Sequence, residues 1–495
     1  MKFTFRILLL VSSLAVITAH AQQLTHFQHV IVVFQENRTP DNLFYALCTN
    51  FPCSTNPNNT QYNIQTTNWL DKTSSTGFTQ PTGVALANGY DLDHSHTGWK
   101  NECDLNTTTG QCRMDGAALT HANRGAFVFV NNTVDPKHPQ GILSSYITLA
   151  TTYGWANFMF QTNQGPSFPA HQFIFGGSSA LNAAGDAAGS FISENFTGGP
   201  AGCYAQDGET TRLINSAGKE SVFTIDYATG VSTCFTGRET MADLLDGAGI
   251  GWKYYSTKGG GNDGGGSIWT APDAIQAICV PDAAHENCTG TEWANHVDLT
   301  PAHILNDLGA NGDPCNLQGV SWVIPIGANS DHPGGSKGGP DWVASVVNAL
   351  GSSPCTDTIN GQNYSYWQDT AVIIAWDDFG GWYDHEVPTI LASPEGGYQL
   401  GFRVPMIFVS AYTPSGYINN FHHDFGTVLR FIERNFGLGV GALGFADSRG
   451  SLPLNSLQAF YNLGKSPRTF VQIPSAKTAL DFINDKTPPT DPDDD

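Results

Sequence analysis

The chain has 495 residues, 40% of them apolar and only 13% charged, which suits one large globular domain or two and is too apolar for a disordered polymer. Lys and Arg number 22 against 44 Asp and Glu, a formal net charge of −22. That field repels the backbone of nucleic acid and argues against a DNA- or RNA-binding role; it would repel a phosphate substrate too, unless a metal or local donors reverse the sign at the site.

The chain opens on an export pattern. Lys2 and Arg6 are basic, residues 7–17 are mostly apolar, and Ala19-His20-Ala21 has the small-x-small form of a cleavage site. The apolar run is shorter than a bilayer span, which favours a signal peptide over residues 1–21 rather than an anchor. The expected mature chain is secreted or periplasmic, with no later segment apolar enough to cross a membrane. Ten cysteines fall into neighbouring couples: Cys48/Cys53, Cys103/Cys112, Cys203/Cys234, Cys279/Cys288 and Cys315/Cys355. An even count in an exported chain favours disulfides over thiol chemistry or zinc. Sequential pairing is the simplest reading, although spacing leaves the connectivity open.

Next comes a continuous apolar run, residues 30–34, which ends in Gln35-Glu36-Asn37-Arg38. Glu36 and Asn37 offer a carboxylate and an amide that could bind a cation; alone, they suit a cap or turn equally well. Asp91-Leu92-Asp93-His94-Ser95-His96 sets His94 beside carboxylates, where it could donate a proton to a leaving oxygen or serve only structure. Residues 142–160 are helical or apolar. They lead to Gly165-Pro166-Ser167-Phe168-Pro169-Ala170-His171, a serine between two prolines in a turn into a helix start, where backbone N–H groups favour an anion. Ser167 reads as a nucleophile in need of a base or a metal, or as a capping serine.

Residues 198–238 are rich in Gly, Thr and turn formers and predict a small β-rich insertion, followed by a helix over 241–248. The loop 258–267, KGGGNDGGGS, lacks the Gly-Lys-Ser/Thr ending of a phosphate-cradling loop. A second apolar run, 320–326, leads to Asn329-Ser330-Asp331-His332, and a helix is expected over 339–350. A third, 371–376, runs straight into Asp377-Asp378, and a fourth, 404–409, precedes Ser410-Ala411-Tyr412. Residues 425–436 predict the clearest helix, with Val428, Phe431, Ile432 and Phe436 at helical spacing and Gly437 to end it. Residues 471–495 read as a tail with a disordered acidic end. Continuous apolar runs suit strands buried on both faces. The expected fold is therefore α/β, a mainly parallel β-sheet sandwiched between helices over residues 22–470, with its chemistry at the carboxyl ends of the strands.

Asp377-Asp378 is the strongest chemical signal. Two adjacent carboxylates at a buried strand end repel each other and lose hydration, so they need a cation or a proton. A hard divalent cation meets that need; a solvated acidic turn with a surface His is the plainer alternative. Gly380-Gly381 permits a tight turn that would bring His385 back toward the pair.

These segments together resemble the bacterial phosphoesterase family of phosphatidylcholine-type phospholipases C and related acid phosphatases, within the alkaline phosphatase and sulfatase superfamily. HVIVVFQENRTPDNLF resembles its opening strand and Glu-Asn-Arg motif. DLDHSH with CRMDGA, GPSFPAH, MADLLDGAGIGWKYYS, NSDHPGG, AWDDFGGWYDHEVP, GFRVPMIFVSAYTPSGYI and VLRFIERNFGL come after it in the family's order. The resemblance implies an alkaline phosphatase-like fold and a divalent metal cation, of unspecified identity, held by Glu36, Asn37, Asp377 and Asp378. It makes Ser167 both a ligand and the nucleophile that forms a phosphoseryl intermediate. His94, His332 and His385 would surround the phosphoryl group as donors or general acid. A phosphate ester, with a phospholipid among the candidates, would be the substrate. Three departures bear on substrate preference: Ala170-His171 replaces the family's Asn-Arg, Asp424-Phe425-Gly426-Thr427 lacks a His, and Asp377-Asp378 stands for Asp-Glu. A sulfatase-like hydrolase and a non-catalytic binding protein on the same scaffold are the rival readings.

Overall fold

The computed structural model describes residues 24–121, 125–198, 201–258, 267–389, 400–443, 445–448 and 457–488. The expected signal peptide, most of the glycine-rich loop 258–267 and the acidic end from 489 lie outside the described residues.

Eight strands form the central sheet: β1 (His29–Gln35), β2 (Gly154–Phe160), β3 (Trp252–Tyr255), β4 (Val297–Asp298), β5 (Val320–Val323), β6 (Thr370–Trp376), β7 (Met406–Ser410) and β8 (Tyr417–Asp424). Their order across the sheet is β4-β3-β5-β1-β6-β7-β2-β8. Every neighbouring pair is parallel except those made by β7, which runs against both β6 and β2. The apolar run 404–409 thus becomes the one antiparallel strand of the sheet.

Six helices flank this sheet or lead to its functional end: α1 (His96–Cys103), α2 (Ser144–Thr152), α3 (Ser167–Gly176), α4 (Met241–Ala248), α5 (Gly339–Gly351) and α6 (Phe425–Phe436). Successive side chains of a strand point to opposite faces. Accordingly Phe34 packs against Phe425 of α6, while its neighbour Gln35 donates to Tyr146 Oη of α2 at 2.9 Å. Helices therefore cover both faces, and β1 and β6 are buried along their whole length, which is why they read as continuous apolar runs rather than alternating ones. The apolar stretch 142–160 resolves into α2 followed at once by β2, the bend falling at Tyr153.

The β-rich insertion is a three-stranded antiparallel sheet that begins earlier than expected, at Phe191–Ile192, and continues through Thr210–Ile214 and Glu220–Thr224. All five cysteine couples are disulfides in sequential order. The segment after 470, expected as a tail, packs on α5. Asn348 on α5 binds Ile473 through both its amide atoms, at 2.8 and 3.0 Å, and Phe482 rests on the Trp342 ring 5.2 Å away. No described helix is long and apolar enough to cross a membrane.

Candidate active site

The site is built where β1 and β6 end. Their parallel register pairs Gln35 with Trp376, so the next residues, Glu36-Asn37 and Asp377-Asp378, leave the sheet side by side. Backbone bonds hold them there. Asp377 N–H donates to the Gln35 carbonyl at 2.9 Å and Arg38 N–H to the Asp378 carbonyl at 3.0 Å. Asn37 takes a left-handed backbone, φ 58°, which asparagine tolerates better than most residues.

Each aspartate divides its oxygens between two tasks. Asp377 Oδ1 accepts from Asn37 N–H at 3.0 Å and Asp378 N–H at 2.7 Å, and Asp378 Oδ1 accepts from Gly380 N–H at 2.7 Å. The second oxygens point inward. Glu36, Asn37, Asp377 and Asp378 are all fully buried. Gly380, at φ 61°, presses so close that a Cβ there would sit 2.4 Å from the Asn37 carbonyl oxygen; a larger residue would push the aspartate turn off β1.

Ser167 reaches the same point from β2. The loop after that strand is shaped by amide side chains: Gln161 accepts from Phe379 N–H at 2.9 Å, and Asn163 Nδ2 donates to the Gly165 carbonyl at 2.7 Å. Pro166 precedes the first helical residue, Ser167. Ser167 Oγ then lies 3.3 Å from Asp378 Oδ2 and 3.4 Å from Glu36 Oε2, donating its proton toward them. Three strands thus converge on one hydroxyl.

One histidine, His94, reaches Asn37, and a second, His332, stands beside it with Asp91. His94 Nδ1–H donates to the Leu92 carbonyl at 2.7 Å, which leaves Nε2 to accept from Asn37 Nδ2 at 3.2 Å. His332 Nδ1–H donates to the Pro333 carbonyl at 2.9 Å, and its ring lies 6.2 Å from that of His94. Backbone acceptors on Nδ1 fix both neutral rings with the lone pair on Nε2.

His385 is a correction to the expected set. The Gly380-Gly381 turn forms, but it does not return His385 to the carboxylate pair. Nδ1 of His385 is 2.7 Å from Asp41 Oδ2 and Nε2 is 2.9 Å from Asn63 Oδ1. Beside them Arg403 grips Asp384 through two bonds of 2.8 and 2.9 Å. With both ring nitrogens engaged, His385 belongs to that buried ionic network. The physical reason is the residue before it: Asp384 is anchored by Arg403, and this carries the chain away from the sheet's end.

His171 is the residue that sequence reasoning passed over. It is fully buried, with Nε2 3.2 Å from Glu36 Oε1 and 3.8 Å from Asp377 Oδ2. The signal that could have found it is its spacing: four residues after Ser167 on one helix means the same face.

The residues present fit a cation. Asn37 Oδ1 and Asp377 Oδ2 are buried and take no hydrogen bond among the described residues, and Glu36, His171 and Asp377 offer donor atoms within 4.8 Å of one another. Carboxylate oxygens packed this closely in a dry interior need positive charge between them.

The model of the phosphoesterase family matches residues 27–439. The non-hemolytic phospholipase C of Burkholderia pseudomallei is 28% identical over 234 residues, 40% of this chain and 32% of that one. The hemolytic phospholipase C of Pseudomonas aeruginosa is 23% identical over 336 residues, 60% of this chain and 39% of that one. The matched part is thus well under two thirds of those relatives' length. A solved structure of a protein in the alkaline phosphatase superfamily from Vibrio parahaemolyticus is 12% identical with a TM-score of 0.30, covering 62% of this chain and 63% of that one.

Proposed function

The chain belongs to the phosphoesterase family, and from that premise we propose that it is an exported hydrolase of phosphate esters in which Ser167 is the nucleophile. The observation that carries the reading is the approach of Ser167 Oγ to Asp378 and Glu36, at 3.3 and 3.4 Å, from a different strand of the sheet. Glu36, Asn37, Asp377 and Asp378 would hold a divalent cation, which supplies positive charge for the phosphoryl oxygens and makes the serine hydroxyl easier to ionise.

Ser167 Oγ attacks phosphorus in line with the ester oxygen, forming an O–P bond as the P–O bond to the alcohol breaks. The hydroxyl already directs its proton at Glu36 and Asp378. The departing oxygen needs a proton, and His94 and His332 carry it on Nε2 when their rings are protonated. Their Nδ1 bonds to backbone carbonyls keep that nitrogen forward. Water then cleaves the phosphoseryl group and regenerates the hydroxyl. Burial excludes bulk water and strengthens each of these interactions. His385 supports the Asp41–Asp384–Arg403 network and takes no part in proton transfer. Five disulfides favour the periplasm or the exterior as the working compartment.

The test is the mature chain on a chromogenic phosphate monoester and on its phosphorylcholine counterpart, with and without chelator. Chelator should abolish turnover, and S167A should lose at least about 10³-fold in kcat with an unchanged unfolding transition. Near-normal turnover by S167A would remove Ser167 from the mechanism.

A further inference from the structure

We propose that His171 is itself a ligand of the cation, so that the centre has a mixed nitrogen and oxygen donor set and prefers borderline divalent ions such as Zn²⁺ or Co²⁺ to Mg²⁺ or Ca²⁺. The inference rests on the proposal that this centre holds a cation, and it adds an imidazole to the four oxygen-bearing residues.

Placement is the first argument. Ser167 and His171 lie one turn apart on α3 and are both fully buried. The helix therefore delivers a hydroxyl and an imidazole together to the ends of β1 and β6. Atoms that share one ion at about 2.1 Å, with angles of about 100°, stand roughly 3.2 Å from each other. The separation of His171 Nε2 from Glu36 Oε1 is 3.2 Å, and that from Asp377 Oδ2 is 3.8 Å.

The second argument is the tautomer. Tyr254 Oη donates its proton to the Trp269 carbonyl at 2.8 Å. Toward His171 Nδ1, 3.4 Å away, it can only accept. Nδ1 therefore carries the ring proton. A neutral ring then turns the Nε2 lone pair toward two carboxylate oxygens, an arrangement that is repulsive unless positive charge lies between them. A second ring proton would serve Glu36 Oε1 at 3.2 Å, yet it would leave Asp377 Oδ2 at 3.8 Å still without a hydrogen bond. A cation serves all three atoms at once. An acceptor behind Nδ1 that fixes the tautomer is also the usual support of a metal-bound histidine.

The chemical consequence comes from donor type. Four oxygen donors alone would suit hard ions, whereas one imidazole among them shifts preference toward borderline transition ions.

The experiment uses the full mature protein stripped by chelator and reloaded with Mn²⁺, Zn²⁺ or Ca²⁺, and it reads binding rather than turnover. Pulsed EPR of the Mn²⁺ form should show coupling to a directly bound imidazole nitrogen, absent in H171Q and retained in H94Q and H332Q. Zn²⁺ affinity by calorimetry should fall about 10- to 100-fold in H171Q, with Ca²⁺ affinity changed less than about threefold. Y254F, which keeps the ligand and removes its support, should retain the nitrogen signal. Should H171Q fail to fold, wild type with H94Q and H332Q still decides: a nitrogen signal that survives both supports His171. A wild type that binds Mn²⁺ with no nitrogen coupling, a signal unchanged in H171Q, or one lost in H94Q or H332Q overturns this inference and leaves the phosphoesterase reading standing. A wild type that binds no cation, while D378N behaves identically, overturns both.

Discussion

Asp331 precedes His332 and is held by Tyr146 Oη at 2.6 Å and Trp376 Nε1 at 3.2 Å. Burial nevertheless pushes its pKa up to about 6, with Tyr146 and Arg38 only partly offsetting the loss of hydration. The folded state thus holds this proton over a pH range in which the unfolded chain has released it. Stability from this group is present below about pH 4 and falls as pH rises toward 6, by up to about 3 kcal/mol. D331N should remove that slope: denaturation from pH 4 to 6.5 should show wild type losing ground relative to the variant, and parallel curves would refute the assignment. Arg403 poses the opposite case. It is fully buried and neutralises Asp384, with Asp41 3.6 Å away. Replacing it in R403M strands buried carboxylates, and the expected cost is about 3–5 kcal/mol in denaturant melts; a cost below about 1 kcal/mol would mean the pair is not the anchor that turns His385 aside.

At the scale of elements, the parallel register of β1 with β6 is what makes neighbours of Glu36 and Asp377, residues hundreds of positions apart. Both strands were legible as unbroken apolar runs because both faces are covered. β7 was legible as a strand but not in its direction, since a short apolar run carries no information on which neighbour it will pair with. α6 was the plainest helix in the sequence, and Asp424 caps it through a reciprocal bond with Thr427. Its second residue is sterically constrained: a Cβ at Gly426 would stand 2.0 Å from the Ala446 carbonyl oxygen. G426A should therefore destabilise by about 1–3 kcal/mol, as overpacking does, visible as a lower thermal midpoint. An unchanged midpoint would show that the segment Phe445–Ser448 yields freely.

For the molecule as a whole, a buried cluster of carboxylates is a stability cost that a bound cation relieves. An ion that binds only the folded chain stabilises it by about 2.7 kcal/mol at one hundred times its Kd. Divalent ion should raise the melting temperature of the stripped protein and should leave D378N unmoved; equal shifts in both would place the ion elsewhere. The order of residues along the chain by itself determined which runs become buried strands and which chemical groups stand at their ends. It did so because burial on both faces demands unbroken apolar stretches, and the polar residue at the end of each must leave the sheet. Only the tertiary structure decided that His385 turns toward Asp41 and that His171 turns toward Glu36. The direction of a side chain depends on partners such as Arg403 and Tyr254, which reach it from distant parts of the sequence and leave no local pattern to read.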